Sequence, residues 1–170
     1  MNDLLDAAGV LSSDAPRTGW PYDPVIIPPR ADIHRFVLTI PGEPVAKGRP
    51  KLGTVNGHAM AFTPAKTRRY EDLVRQKAVQ TWNRPLIADA PITLQVTFTR
   101  GIPASWSRKK REAAYAQQIW PTGRPDLDNM VKAITDGMNL AVFADDALIV
   151  RTLSEKRYGD VPGVRVELTW

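Results

Sequence analysis

Cysteine is absent from this 170-residue chain, and histidine occurs only twice. The first absence excludes a disulfide framework, a zinc ribbon, an iron–sulfur cluster and a thiol nucleophile. The two histidines, His34 and His58, stand alone and read as structural or solvent-facing. No apolar run approaches the ~18 residues of a membrane span, and the acidic residues 1–6 do not resemble a secretory signal. The chain therefore reads as soluble and intracellular. Five of the fifteen prolines fall in residues 1–33 (Pro16, Pro21, Pro24, Pro28, Pro29). Proline fixes φ and lacks a backbone donor, so this segment is expected to be a flexible arm, with at most one short helix near Leu4 and Leu11. Residues 34–170 are expected to form a single domain.

What the chain has in abundance is charge, unevenly placed. The formal net charge is +5, yet residues 47–111 carry fourteen basic against three acidic side chains, and residues 112–170 carry six against nine. A basic stretch can be no more than a solvated face. Here the cations fall in short clusters beside aromatics: Lys47-Gly-Arg49-Pro-Lys51, Lys66-Thr-Arg68-Arg69-Tyr70 and Trp106-Ser-Arg108-Lys109-Lys110-Arg111. With Arg124, these are the candidate contacts to a nucleic-acid backbone.

Hydrophobic patterning gives mixed elements. Phe36 to Ile40 is a β-rich run halted by Pro41-Gly42. The Gly/Pro/basic loop over 42–51 supports at most brief strands. Thr63 as cap and Pro64 at the first position open a helix, carried to about Trp82 by Tyr70, Leu73, Val74, Lys77, Ala78 and Thr81. Residues 92–98 alternate apolar and polar, as a half-buried strand does. Ser105 is expected to cap a second helix reaching about Gln117. After the rigid loop 121–125, a third helix begins at Asp126 or Leu127 and ends near Asn139. Strands over about 147–156 and 164–170 close the chain. Short links suit antiparallel pairing, so the class is α+β: a compact mixed or antiparallel sheet with about three helices.

Arg124-Pro-Asp126-Leu-Asp128-Asn129-Met-Val-Lys132-Ala-Ile-Thr-Asp136-Gly137 carries the most chemistry. At about 100° per residue, Leu127, Val131, Ile134 and Met138 form an apolar stripe. Asp128, Lys132 and Asp136 stand at i, i+4 and i+8 on another face. Asp126 precedes the helix, at the positive end of its dipole, and Asp145-Asp146 follows in a turn. Magnesium takes a few carboxylate oxygens at ~2.0–2.1 Å and keeps waters and substrate phosphate in its remaining positions. Lys132 is placed to hold the carboxylates or to offset charge on a transferring phosphoryl group. Taken singly, Asp126 is open to reading as a helix cap, Asp128 and Lys132 as an ion pair worth ~0.3–0.5 kcal/mol, and Asp145-Asp146 as turn residues. Jointly, four crowded carboxylates repel unless a cation compensates them. A calcium loop is excluded, because its required glycine is Val131 and its closing glutamate is Gly137.

These motifs resemble the RusA family of Holliday-junction resolvases, phage and prophage members above all. The resemblance rests on the segment from Arg124 to Gly137, on Asp145-Asp146-Ala-Leu-Ile-Val and Lys156, and upstream on residues 40–51 and 62–70. It implies a homodimeric α+β fold and a Mg²⁺-dependent, structure-selective endodeoxyribonuclease, with Mn²⁺ a possible substitute. It implies metal ligands at Asp126, Asp128 and Asp146, with Asp145 a further candidate and Asp136 matching without an assigned role. It places the essential lysine at Lys132, and it implies 5′-phosphate and 3′-hydroxyl products. Leu148 departs from the glutamine common in the family. Branched DNA and a second copy of the chain are the implied partners, in the cytoplasm of a bacterial or phage-infected cell. Two alternatives stay open on the residues alone: a nuclease for flaps or forks, and a non-catalytic basic DNA-binding protein.

Overall fold

The structure, a computed structural model, describes residues 33–55 and 58–170. The expected N-terminal arm lies almost wholly outside them. In chain order the elements are β1 (Arg35–Pro41), β2 (Lys51–Val55), β3 (His58–Phe62), α1 (Ala65–Thr81), β4 (Ile92–Gly101), α2 (Arg108–Tyr115), α3 (Leu127–Met138), β5 (Ile149–Gly159) and β6 (Gly163–Thr169). A 3-10 turn, Asp146–Leu148, leads into β5. The class is α+β, as the patterning predicts.

Four strands form one sheet in the order β1-β6-β4-β5, and β2 and β3 form a separate hairpin. Alternation decides which face of the sheet is buried. Leu38 and Ile40 of β1, Ile92, Leu94, Val96 and Phe98 of β4, and Val164, Val166 and Leu168 of β6 all turn inward. Onto that face pack Tyr70, Val74, Ala78 and Trp82 of or just beyond α1, and Met130, Ala133, Ile134 and Met138 of α3. Each such large apolar side chain contributes roughly 1.5–3 kcal/mol by leaving water. Trp82 is thus a core residue, stacked with Phe36 and Trp170.

Several boundaries differ from expectation. Helix α1 starts one residue later than expected: Pro64 has extended ψ and is itself the cap, with no side-chain bond. Ser107, not Ser105, caps α2 by accepting from the Lys110 amide. Ser105 is used in a turn closed by Trp106 N donating to Pro103 O at 3.1 Å. Strand β5 begins at Ile149, because residues 146–148 are taken by the 3-10 turn. The sequence predicts at most brief strands in the 42–51 loop and no β2–β3 hairpin beyond it. Of the mixed or antiparallel sheet expected, the structure has the mixed form: β4 and β5 pair in parallel, while β1–β6 and β4–β6 are antiparallel. A parallel neighbour requires a long crossover, and the chain between β4 and β5 supplies it with α2, α3 and the 146–148 turn.

Helices α1 and α3 approach closely at Gly137. A Cβ there would lie 2.6 Å from Val74 Cβ and 3.0 Å from the Glu71 carbonyl oxygen. Only glycine allows this approach, which sets the spacing of the charged groups that flank it.

Candidate active site

Helix α3 has two faces with opposite jobs. Met130, Ala133, Ile134, Gly137 and Met138 are buried, with Leu127 and Val131 half-buried against the core. Asp128 and Lys132 stand on the exposed side, and Asp136 is half-buried. Asp126 is the residue before the helix, as expected. Its side chain makes no capping bond, so the carboxylate is not consumed by the helix end. Asp126 is thus the cap by position only, and its side chain takes no part in capping.

The loop that presents Asp126 is anchored from the sheet. Lys156 Nζ on β5 donates to the carbonyl oxygens of Gly123 and Pro125, at 3.0 and 3.1 Å. Arg100 Nη1, at the end of β4, donates to Arg124 O at 2.9 Å. Glu43 accepts from the Gly101 amide at 2.8 Å beside that arginine. Neither Arg100 nor Glu43 was singled out in the sequence. Lys156 was visible only as part of a motif, and its partners are backbone carbonyls that no residue pattern reveals.

Around α3 runs an alternating chain of charges. Lys132 Nζ lies 2.7 Å from Asp146 Oδ2 and 2.9 Å from Asp136 Oδ1. Lys47 Nζ lies 2.5 Å from Asp136 Oδ2 and 2.8 Å from Glu71 Oε1. The order is Glu71, Lys47, Asp136, Lys132, Asp146. Lys132 pairs forward along the helix with Asp136 rather than back with Asp128. Its hydrogen bonds to Asp146 and Asp136 outweigh partial burial and hold its ammonium above the ordinary lysine range. Burial alone would raise the Asp136 carboxyl, but two ammonium donors overcome it and hold that group below the usual carboxylate range. For Lys47, burial works against the charged form, and the bonds to Asp136 and Glu71 prevail, so its pKa also rises.

These contacts sort the candidate carboxylates. Each oxygen of Asp136 accepts from a lysine, Oδ2 from Lys47 and Oδ1 from Lys132, so its charge is already paired twice. Asp145 Oδ1 accepts from the Ala147 amide at 2.8 Å, so Asp145 caps the 3-10 turn. Asp128 takes only a long contact, 3.5 Å, from its neighbour Asn129. Among the described residues, no three Asp, Glu or His side chains converge as a ready metal-holding group. The expected convergence of Asp126, Asp128 and Asp146 is therefore not found as a formed cluster; Lys132 joins α3 to Asp146 of the 146–148 turn. The donor chemistry still fits a hard divalent cation. It consists of carboxylate oxygens only, two of them on exposed side chains and the third held by an ammonium that a cation can replace.

The basic candidates divide as well. The Gly48 amide donates to Thr67 Oγ1 at 3.0 Å, and a Cβ on Gly48 would meet Pro64 Cγ at 2.9 Å. This contact lays the loop against the start of α1, where Arg49, Lys66, Arg68 and Arg69 are exposed. Arg108, Lys109, Lys110 and Arg111 are exposed on α2. There Arg108 pairs with Glu112 at 2.8 Å, and the Lys110 ammonium sits 4.0 Å from the centre of the Trp106 ring. Arg124 is exposed beside Asp126, and Lys51 lies on β2. Lys47 differs from the other expected DNA contacts whose side chains are described, because its ammonium is part-buried and paired with two carboxylates on two helices.

Exposed carboxylates, a lysine shared between two aspartates and clusters of exposed cations on an α+β scaffold fit the class of nucleases. Residues 41–169 match the family model for endodeoxyribonuclease RusA. Over 132 residues the chain is 37% identical to the uncharacterized protein YqaN of Bacillus subtilis (strain 168), covering 76% of this chain and 92% of that protein. Over 138 residues it is 26% identical to the crossover junction endodeoxyribonuclease rusA of Lactococcus phage r1t, covering 79% and 95%. The chain belongs to the RusA family of endodeoxyribonucleases.

Proposed function

We propose that this protein is a Mg²⁺-dependent, structure-selective endodeoxyribonuclease that resolves four-way DNA junctions by paired phosphodiester hydrolysis. The observation that carries the reading is the Lys132 bridge to Asp146, 2.7 Å long, one helical turn from exposed Asp128. The name of the phage relative, a crossover junction endodeoxyribonuclease, supports the choice of a junction as substrate.

Asp126, Asp128 and Asp146 are the residues that would hold magnesium. When bound, that ion supplies stabilisation of charge on the phosphoryl oxygens and activation of the attacking water. The remaining work belongs to the chain. Arg49, Lys66, Arg68, Arg69, Arg124 and the four cations of α2 dock DNA through its phosphates, with a steep salt dependence. Lys156 and Arg100 hold the loop that aims Asp126. Lys132 presents an ammonium beside the carboxylates, where it offsets charge developing on the scissile phosphate. A junction has approximate two-fold symmetry and is cut on two strands, so a C₂ pair of chains presents two matching sites. The setting is DNA recombination and repair in the cytoplasm of a bacterial or phage-infected cell.

The test is a gel assay on a synthetic four-way junction, a flap and a linear duplex of one sequence, with Mg²⁺, Mn²⁺ or chelator. Symmetrical nicks in the junction that need the divalent ion are expected. Equal or faster cutting of the flap would replace the substrate, and no cutting of any DNA would leave only a binding protein.

A further inference from the structure

Lys47 lies in a basic cluster but does not behave as a member of it. Its side chain is 28% exposed, against 92% for Arg108 on α2. It reaches between two helices, to Glu71 of α1 and to Asp136 of α3, and its backbone amide donates to Asn129 O on α3 at 2.8 Å. Asp136 is thereby shared by two ammonium groups, one oxygen each. Lys132 is in turn shared by two carboxylates, Asp136 and Asp146. In such an alternating chain, the charge left on Asp136 after Lys47 has bound it decides how strongly Asp136 competes for Lys132. What Asp136 does not hold, Asp146 receives.

We infer that Lys47 is a positioning residue for the acidic centre rather than a phosphate contact. By neutralising Asp136, it fixes the division of Lys132 between Asp136 and Asp146, and so the availability of Asp146 to a divalent cation. This inference rests on the reading of Asp146 as a ligand. Removing Lys47 leaves Asp136 fully charged, draws Lys132 towards it and releases Asp146. Removing the charge of Asp136 does the reverse and leaves Lys132 to Asp146 alone. The two substitutions therefore act on cation affinity with opposite signs.

The experiment measures Mn²⁺ binding to the full chain without DNA, from the free Mn²⁺ signal in electron paramagnetic resonance. Lys47→Met is expected to bind Mn²⁺ about fivefold more tightly and Asp136→Asn about fivefold more weakly, roughly the effect of one unit charge in a high effective dielectric. Lys47→Arg, which keeps the charge, returns to within about twofold of wild type. Arg75→Met removes a like charge one turn along α1 from Glu71 and is expected to stay within about twofold, since an exposed charge at a distance is screened. Unfolding cannot imitate tighter binding by Lys47→Met. Junction affinity of Lys47→Met in chelator, and its salt slope, are expected to match wild type. A slope shallower by about 0.9 would make Lys47 a phosphate contact and overturn the inference. Equal shifts in Lys47→Met and Arg75→Met, or no shift in Lys47→Met and Asp136→Asn, would overturn it too. Mn²⁺ binding unchanged by Asp146→Asn would sink the ligand reading first, and the inference with it.

Discussion

The loop cluster around Lys47 and the helix cluster of α2 look alike as sequence: both are short and basic. Folded, they diverge. The α2 cations project from a helix whose only buried residue is Ala114, and one of them rests on the face of Trp106. The Lys47 loop is instead drawn down by the Gly48 amide and by the bond from Lys47 N to α3, and its ammonium is spent on carboxylates. Basic composition therefore predicts an electrostatic footprint for a segment. It does not predict which cations face outward, because that depends on whether a fixed carboxylate lies within reach.

The largest effect should come from a change that touches neither cluster. Asp128→Asn is expected to lower single-turnover junction cleavage by at least about a thousandfold, as loss of a reaction-specific group does, with junction affinity in chelator within about twofold. Loss of binding together with cleavage would break the division between acidic chemistry and basic docking. Next, the combined Lys109→Ala, Lys110→Ala and Arg111→Ala variant should lose roughly ten- to a hundredfold in junction affinity at moderate salt. Its log–log salt slope should be shallower by about two to three, measured by fluorescence anisotropy. Equal slopes for this variant and for Lys47→Met would erase the contrast drawn above.

A third change sharpens the comparison from beneath. Gly137→Ala places a methyl group against Val74 and the Glu71 carbonyl, and so pushes apart the two helices that Lys47 bridges. Overpacking of this kind costs about 1–3 kcal/mol, or a Tm lower by several degrees in a thermal melt. Val74→Ala in the same chain should recover part of that loss.

The smallest effect belongs to an ion pair remote from both clusters. Hydrogen bonding from Arg35 and Arg165 holds the Glu167 carboxyl below its usual range. A depressed folded-state pKa stabilises above the unfolded value of about 4.3 and loses that contribution as pH falls through the folded value. The Tm gap between wild type and Glu167→Gln is therefore expected at pH 7, small as for an exposed pair, and should narrow as the pH falls below the unfolded value.

Helix α3 was almost entirely legible in the sequence. Its apolar spacing, its leading aspartate and its stop at Asn139 all act locally, so Asp126, Asp128, Lys132 and Asp136 fell where the pattern put them. Strands β4 and β6 were legible for the same reason, since burial on one face writes an alternation into the residues. The β2–β3 hairpin left no such trace, because every residue of β3 is exposed and nothing selects an alternating pattern. The parallel pairing of β4 with β5 was hidden because partner choice is non-local. The turn role of Asp145 was open in the sequence, whereas the pairing of Lys47 was hidden, since two carboxylates on other elements decide it.

Because β4 and β5 run side by side, every carboxylate assigned to the cation belongs to one excursion of the chain that departs from and returns to adjacent strands. Both ends of that excursion are clamped by the same ladder. Lengthening or reshaping it leaves strand register untouched, so the segment that bears these carboxylates can vary while the sheet is inherited unchanged.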